Sequence, residues 1–492
     1  MNKDDISKLL NIPVDDEVKV GSIELKEGIK YIELYKDPKA YYCPTCFIRM
    51  KSKGINTRKV NHPIYQDRTL CKLIVRQRTY VCPQCGCRTS EHYPFLEKYK
   101  HSTTILPILV LNAMKDLNRS TASVAQQLNI SDTLAHDIFT MYIDLPRLPL
   151  TEYISVDEVY LNIKPDGLYA FVIMDFITGQ IIDIVHNRHS DTLEEYFFSI
   201  PYEERKTVKG VISDAYEHYQ SLCQNYFPNG VMVLDSFHAV KYLNDRLNNF
   251  VNYLLRRARN KQKDRLQKEN DVSNQQKKSI KDSQEIILLR DYRWVLLKSK
   301  DKINYSYYAY YHPKLSMSVT TDQIEKMFFE IDPRLEKMRD LKEKYLTFNS
   351  AFYSSENEIR EKLNRLITEY ERCDIPEFNE FAIYLIKFYD NIIRSFTTAE
   401  VRRKKDPDTY YARLSNGPME GFNRKPKDYK RNSRGSSNFD YTRNRILWAT
   451  RDDPSILAVP KTKKQIHSYK LNEKTLKKRQ KNGYTKHKKD KK

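Results

Sequence analysis

Between Tyr153 and Asp235 the apolar residues of this 492-residue chain take up the spacing of strands, and no other stretch restricts its possible folds so strongly. YISVDEVYL, LYAFVIMDF and QIIDIVHNRH are three consecutive strand-like runs. The segments between them hold Pro165-Asp166-Gly167 and Thr178-Gly179, which are turn signals for hairpins. DTLEEYFFSI then has helical spacing, VKGVISD reads as a short buried strand, AYEHYQSLCQNYF is helical again, and GVMVLD is a second buried strand. Strands joined by tight turns and followed by helix–strand alternation admit few topologies, because parallel strands need a crossover and sequential strands tend to lie side by side. Two carboxylates stand in these runs, Asp157 within the first and Asp214 closing VKGVISD. An ionised carboxylate there is costly unless something positive offsets its desolvation.

Three antiparallel strands followed by alternating helices and parallel strands is the ribonuclease-H-like plan, an α/β core. In it the first and fourth strands are neighbours, so Asp157 and Asp214 are expected to approach each other. Two carboxylates that close repel unless a cation lies between them. Mg2+ takes oxygen ligands and keeps positions for water and phosphate oxygens, which suits phosphoryl chemistry on a polyanion. A third acid, Glu420 in SNGPMEGFN, completes the set. Glu158, the next residue after Asp157, points to the other face and is expected to pair with a Lys or Arg.

Asp235 and Glu420 are separated by 184 residues, far too many for a loop inside a compact core. The intervening sequence has apolar residues at three- and four-residue spacing and reads as an all-helical insertion. Residues 256–283 are charged enough to project as a solvent-exposed arm. Trp294 is expected to pack in the insertion's core rather than stack on a base.

Six of the eight cysteines fall between Cys43 and Cys87. Cys43-x2-Cys46 and Cys82-x2-Cys85 form two knuckles with the spacing of one tetrahedral structural Zn2+, held in a zinc ribbon. Cys87 is a rival to Cys85, and Cys71 reads as an ordinary strand residue. Further on, STASVAQQLNISDTLAHDIFTMY divides into two short amphipathic helices, with Ser131 capping the second and Asp132 at its positive end. This has the form of a helix-turn-helix whose second helix, Asp132 to Met141, enters a major groove; a plain helical hairpin is the other reading.

Lys and Arg number 85 against 64 Asp and Glu, a formal net charge of +21, which favours a nucleic-acid or anionic-surface partner. Residues 461–492 alone carry 14 Lys and Arg and two acids. That tail contacts DNA backbone or is simply solvated. No apolar run reaches the length of a membrane span, and MNKDDISKLLN lacks a signal-peptide core, so a soluble, intracellular protein is expected.

The double CxxC ribbon, VDEVYL, VISDAYEHY, VLDSFHAVKYLN, DPRLEKMRDLKEKY and SNGPMEGFNRKPKDYKRNSRGSSNFDYTRNRIL together resemble a bacterial insertion-sequence transposase of the ISL3 group, a zinc-ribbon branch of the DDE recombinases. The resemblance runs from about residue 40 to 450 and is densest in the last stretch. It implies a catalytic triad of Asp157, Asp214 and Glu420 holding two Mg2+ (or Mn2+) ions, with the glutamate on a helix beside the sheet. Asp235 and His238, in DSFH, match an accessory signature and are implied to support the active site or meet the cut DNA end. Lys425, Lys427, Lys430, Arg431 and Arg434 are placed to meet phosphates near the scissile bond. Pro426 departs from the family pattern and is expected to kink or end the glutamate's helix.

The expected organisation is multidomain α+β. It comprises an N-terminal segment (1–38), a zinc ribbon (39–100), a helix-turn-helix (101–150), the first part of the catalytic core (151–240), the helical insertion (241–405), the second part of the core (406–455) and a basic tail (456–492). The expected activity is that of a DNA transposase: binding double-stranded terminal repeats, cutting them and joining the ends to target DNA, as a homodimer or larger assembly in the bacterial cytoplasm, associated with the nucleoid. A catalytically silent DNA-binding regulator and a ribonuclease-H-like nuclease are the alternatives.

Overall fold

The computed structural model describes residues 3–66, 69–98, 100–163, 167–214, 217–270, 282–403, 408–433 and 438–467. They fall into two compact units, one drawn from Met1–Arg147, Val159–Tyr169 and Asn423–Lys492, the other from Leu148–Glu158 and Ala170–Phe422. The result is a mixed α+β protein of more than one folding unit.

The chain begins with helix α1 (Lys3–Leu10), followed by strands β1 (Val18–Lys26), β2 (Ile29–Lys36), β3 (Lys51–Gln66), β4 (Thr69–Val81) and β5 (Arg88–Ser90). Glu27 and Gly28, both at positive φ, make the two-residue turn between β1 and β2, the geometry that matches strand twist. The strand order is β1-β2-β4-β3, with β5 on β4. Ile32, Leu34, Val60, Leu73 and Val75 form its buried face, against which Ile6 and Leu10 of α1 pack. Residues 1–38 therefore share a sheet with the zinc-knuckle region from which sequence reasoning separated them. The cause is the parallel pairing of β2 with β4, a long-range contact that local periodicity does not encode.

Helices α2 (Leu106–Ala113), α3 (Thr121–Gln127) and α4 (Asp132–Tyr142) come next. The Ser120 and Ser131 hydroxyls accept from the backbone N–H of Ser123 and Leu134, so the expected cap on the second helix of the pair is present. Much of α4 is covered, however. Ala135, Asp137, Ile138 and Phe139 are buried, and only Ser131, Asp132 and Thr133 at its start are well exposed.

The second sheet is built from β6 (Tyr153–Ile163), β7 (Gly167–Asp175) and β8 (Ile181–Val185), then α5 (Ser190–Phe198), α6 (Tyr202–Arg205), β9 (Gly210–Ser213), α7 (Glu217–Tyr226) and β10 (Val231–Leu234). Its order is β10-β9-β6-β7-β8, with β6, β9 and β10 parallel and β7 and β8 antiparallel. Leu193 and Phe197 of α5 and Tyr219, Leu222 and Cys223 of α7 pack on Ile154, Val156, Phe171 and Val211. A separate cluster gathers Ile212 and Val233 against Ala399, Val401 and Leu414.

From Ser236 to Asn270 runs a single 35-residue helix, α8. The expected boundary between residues 240 and 241 thus falls inside a helix, and residues 271–281 of the expected arm lie outside the described residues. There follow α9 (Gln284–Asp291), α10 (Trp294–Leu297), β11 (Tyr310–His312), β12 (Met317–Val319), α11 (Thr321–Phe329), α12 (Arg334–Ser350), α13 (Glu356–Arg372), α14 (Pro376–Lys387) and α15 (Tyr389–Arg394). The amphipathic faces of these helices share one core with α8, to which the partly buried Trp294 adds its ring. The insertion is not wholly helical: β11 and β12 form an antiparallel hairpin. Consecutive tyrosines favour extended backbone, and the Pro313 turn lets the chain return.

The chain closes with β13 (Thr398–Val401) paired to β14 (Tyr410–Arg413), then α16 (Gly417–Asn432) and α17 (Phe439–Thr450). Of the two outcomes expected at Pro426, a kink or an end, the end does not occur: Pro426 lies inside α16, at the loss of one backbone hydrogen bond. Arg445 of α17 is fully buried and donates to the carbonyls of Met114, Asp116 and Arg119, while Trp448 Nε1 donates to Leu111 O at 2.8 Å. Carbonyls at the end of α2 and in the following turn thereby gain partners. No described helix is long and apolar enough to cross a membrane.

Candidate active site

Strand register brings three acids into line. β6 pairs with β9 as Tyr153 with Gly210 and Ser155 with Ile212. Carried on by two positions, that register aligns Asp157 with Asp214. β9 pairs with β10 as Gly210 with Val231 and Ser213 with Leu234, so the next position aligns Asp214 with Asp235, whose N–H donates to Ser213 O at 3.0 Å. Asp214 and Asp235 therefore stand just past the carboxyl ends of β9 and β10, level with Asp157 in the middle of β6; the carboxyl ends of parallel strands are the edge at which open α/β sheets bind ligands.

Asp157 is half-buried, and burial pushes its carboxyl up to about 6, with the nearby Asp214 charge adding to the rise. The Glu158 N–H, 2.7 Å from Asp157 Oδ1, and the neighbouring His238 pull the other way. A cation here would relieve both the desolvation and the carboxylate repulsion. Glu158 lies off this edge as expected: Arg188 pairs with it and the Tyr219 hydroxyl donates to it at 2.5 Å.

Asp235 is 1% exposed, and burial raises its pKa above the usual carboxylate range. It precedes α8, whose first turn presents His238. Asp235 Oδ2 has no hydrogen-bond partner among the described residues and stands 3.9 Å from His238 Nε2. An orphaned, buried carboxylate oxygen facing an imidazole is an incomplete site by the ordinary rule that buried polar atoms are satisfied. Glu420, exposed in the first turn of α16, completes it: ligand atoms of Asp235, His238 and Glu420 lie within 4.8 Å of one another. Pro418 suits the start of this helix, and Glu420 stands in its first turn, at the positive end of the helix dipole.

Asn416 ties these pieces together. Its Nδ2 donates to Val156 O at 3.2 Å, beside Asp157; its backbone N–H reaches the Asp235 carboxylate; and its carbonyl accepts the first helical bond from Glu420 N at 3.0 Å. In the sequence SNGPMEGFN stands out for its glutamate, and nothing there gives this asparagine a task. Only its place beside an acid-bearing helix hinted at one. Nearby, partly buried Arg413 donates to Ser395 and Asn349 and adds positive charge toward Asp235.

Asp157 and Asp214 are neighbours through the sheet, and among the described residues Glu420 forms a three-ligand group with Asp235 and His238. His238 is common to both, since its charge also acts on Asp157.

A second cluster lies in the amino-terminal unit. The Sγ atoms of Cys43, Cys46, Cys82 and Cys85 converge within 4.8 Å, Cys43 and Cys85 at 3.5 Å, and all are free thiols. The two knuckles are built alike. Phe47 N donates to Cys43 O and Gly86 N to Cys82 O, with Phe47 and Gly86 at positive φ; Cys43 N donates to Ile48 O and Cys82 N to Cys87 O. Cys87 therefore occupies the position of Ile48, and it is the Cys85 Sγ that converges with those of Cys43, Cys46 and Cys82. Backbone N–H groups of Cys46 and Thr45 hold Cys43 down to about 6, and hydrogen bonding with Cys85 pushes Cys46 up to about 12. Four thiols sharing so little positive charge fit Zn2+, which favours thiolate.

Of the expected phosphate contacts, Lys425 and Lys427 are exposed on α16. Lys430 is partly buried and directs Nζ to Asn162 O at 3.4 Å, and Arg431 pairs with Asp428 at 3.2 Å. Arg434 lies outside the described residues.

The family model for ISL3-type transposases, described as "Transposase", matches residues 154–446. Among curated proteins, the transposase for insertion sequence element IS1001 of Bordetella parapertussis is 24% identical over 326 residues, covering 61% of this chain and 74% of its own length.

Proposed function

This chain belongs to the ISL3 transposase family, and from that premise we propose that it binds the double-stranded ends of an insertion sequence, cuts them and joins them to target DNA. The alignment of Asp157 on β6 with Asp214 and Asp235 at the ends of β9 and β10, with Glu420 reaching Asp235 and His238, carries the reading. The strand order β10-β9-β6-β7-β8 supports a ribonuclease-H-like catalytic core.

Asp157, Asp214 and Glu420, supported by Asp235 and His238, are the residues that would hold two Mg2+ or Mn2+ ions. When bound, these supply activation of the attacking oxygen and neutralisation of charge at the phosphate. The protein's own part is mainly positioning. Glu158, locked by Arg188 and Tyr219, fixes the strand that carries Asp157, and Asn416 fixes the start of the Glu420 helix against it. On α16, Glu420, Arg424, Lys427 and Arg431 follow helical spacing along one stripe, so a strand whose phosphates run along these cations is led to the glutamate. Both hydrolysis and strand transfer are in-line displacements at phosphorus; transfer replaces one phosphodiester with another and needs no ATP.

DNA-end recognition falls to the zinc knuckles, with Zn2+ on Cys43, Cys46, Cys82 and Cys85, and to α3 and the exposed first turn of α4, the part of such a helix that meets base edges. In this reading residues 39–150 bind DNA, 151–240 and 406–455 form the catalytic core, 241–405 the insertion and 456–492 the basic tail. Synapsis of two ends calls for a dimer or larger assembly.

Incubating the full-length protein with end-containing duplex and Mg2+, beside Asp214→Ala, tests the reading. Joined products from the wild type, and intact DNA binding without cleavage from the variant, are expected. Unspecific nicking would indicate a nuclease, and binding without any cutting a regulator.

A further inference from the structure

The insertion carries an aromatic surface that neither the acidic site nor the insertion's core uses. Residues 298–319 contain five tyrosines, four lysines and one acid, Asp301. Tyr305 is held by a hydrogen bond to Glu325 at 2.6 Å. The other four stand in water: Tyr307, Tyr308, Tyr310 and Tyr311 are 99%, 78%, 60% and 64% exposed. Their backbone is nevertheless fastened. The Ser306 hydroxyl donates to Tyr308 O and accepts from Tyr308 N, Thr321 Oγ1 donates to Asn304 O, His312 Nδ1 meets the Tyr292 hydroxyl at 3.1 Å, and Val319 is buried in the helical core. Rings of this size normally seek burial, and an exposed apolar patch of several such rings marks a binding surface.

The surrounding charge identifies the partner. Lys298, Lys300 and Lys302 are exposed just before the tyrosines, and Lys314, paired with Asp291, lies in the hairpin turn. Exposed rings flanked by lysines fit a strand that offers base faces and phosphates together, whereas a duplex hides its base faces in the stack. We propose that the hairpin and the loop before it form a stacking platform for unpaired bases of a DNA strand. The platform rests on the transposase reading only for the source of that strand, the ends opened by cutting.

Binding of the full-length protein to labelled single-stranded oligothymidylate, and to a duplex of equal length, tests this by fluorescence anisotropy. The comparison is with a variant bearing Tyr307→Ala, Tyr308→Ala, Tyr310→Ala and Tyr311→Ala, and a second bearing Phe at the same four positions. Wild type should bind the single strand; the alanine variant should lose about 100-fold or more of that affinity and little duplex affinity, and the phenylalanine variant should keep most of it, because stacking needs the ring. The rings lie outside the core, so circular dichroism and melting of both variants should match wild type. The platform is overturned by unchanged single-strand affinity in the alanine variant, by absence of single-strand binding in the wild type, or by a change in oligomeric state as the main effect, which would make the surface a contact between copies. Ring-dependent strand binding without cutting of end DNA would leave the platform standing and remove the transposase reading; cutting with ring-independent binding would do the reverse.

Discussion

The thiol cluster and the acidic cluster both gather ligands around a volume suited to a cation, and they are built in opposite ways. The four thiols come from two short knuckles that the β3–β4 ladder, starting at the Lys51–Val81 pair, sets side by side. Each knuckle has its own hydrogen bonds and its own positive-φ residue, and the donors are all of one kind. The acidic cluster draws on β6, the ends of β9 and β10, α8 and α16, and mixes carboxylates with an imidazole. Its members range from Asp235, shut away, to Glu420, open to solvent. A closed set of four soft donors suits a metal that holds structure, and an open set of hard donors suits one that must still meet a substrate.

Five experiments probe this contrast. The largest effect is expected from alanine at Asp157, Asp214 or Glu420: end cleavage should fall on the order of 10^3-fold or more, with DNA affinity little changed. Equal loss of both in a gel-shift and cleavage pair would make the acidic cluster structural, like the thiols.

Next comes zinc removal, by chelator or Cys43→Ser. Structural zinc contributes on the order of 10 kcal/mol in small domains, so the amino-terminal unit should lose its separate melting transition while the other unit keeps its own. Calorimetry with and without chelator reads this directly.

Asp157→Asn should stabilise the metal-free protein by up to about 3 kcal/mol above pH 6. The sign follows from the raised carboxyl: protonation is favoured in the fold, so stability is fully present below the unfolded value of 3.8 and is lost as pH rises through about 6. The gain should vanish near pH 4, and urea titrations at several pH values check it. A variant less stable than wild type at pH 8 would show that Asp157 serves the fold and not the site.

Asn416→Ala leaves a buried carbonyl without its donor and should cost about 1–3 kcal/mol in the same titrations. The smallest effect is expected from Cys87→Ser: one zinc per chain retained and stability within about 0.5 kcal/mol of wild type. Loss of zinc there would displace Cys85 from the ligand set.

Much of the fold was legible because its signals are local. Ser131 caps α4 and the CxxC spacing marked the knuckles, each within a few residues of what it acts on. The strand pattern from Tyr153 placed β6 beside β9, and Asp157 and Asp214 follow from that neighbourhood. Long-range pairing was not legible: β2 on β4, the continuity of α8 across an expected boundary, and the covering of α4 depend on partners far along the chain. At Pro426 the sequence left two outcomes open, a kink or an end, and packing decided against the end: one missing hydrogen bond is offset where the residue is buried in a packed helix.

The chemistry of this protein was determined by its sequence alone: which acids, which thiols and which cations stand ready, and the local turns and caps that present them. Tertiary structure decided their grouping. It joined Glu420 to Asp235 and His238, set Asn416 among three acid-bearing segments, and gave Cys85 rather than Cys87 to the knuckle. The physical reason is that register and packing sum weak contacts between residues hundreds of positions apart, and neither spacing nor periodicity along the chain carries that information.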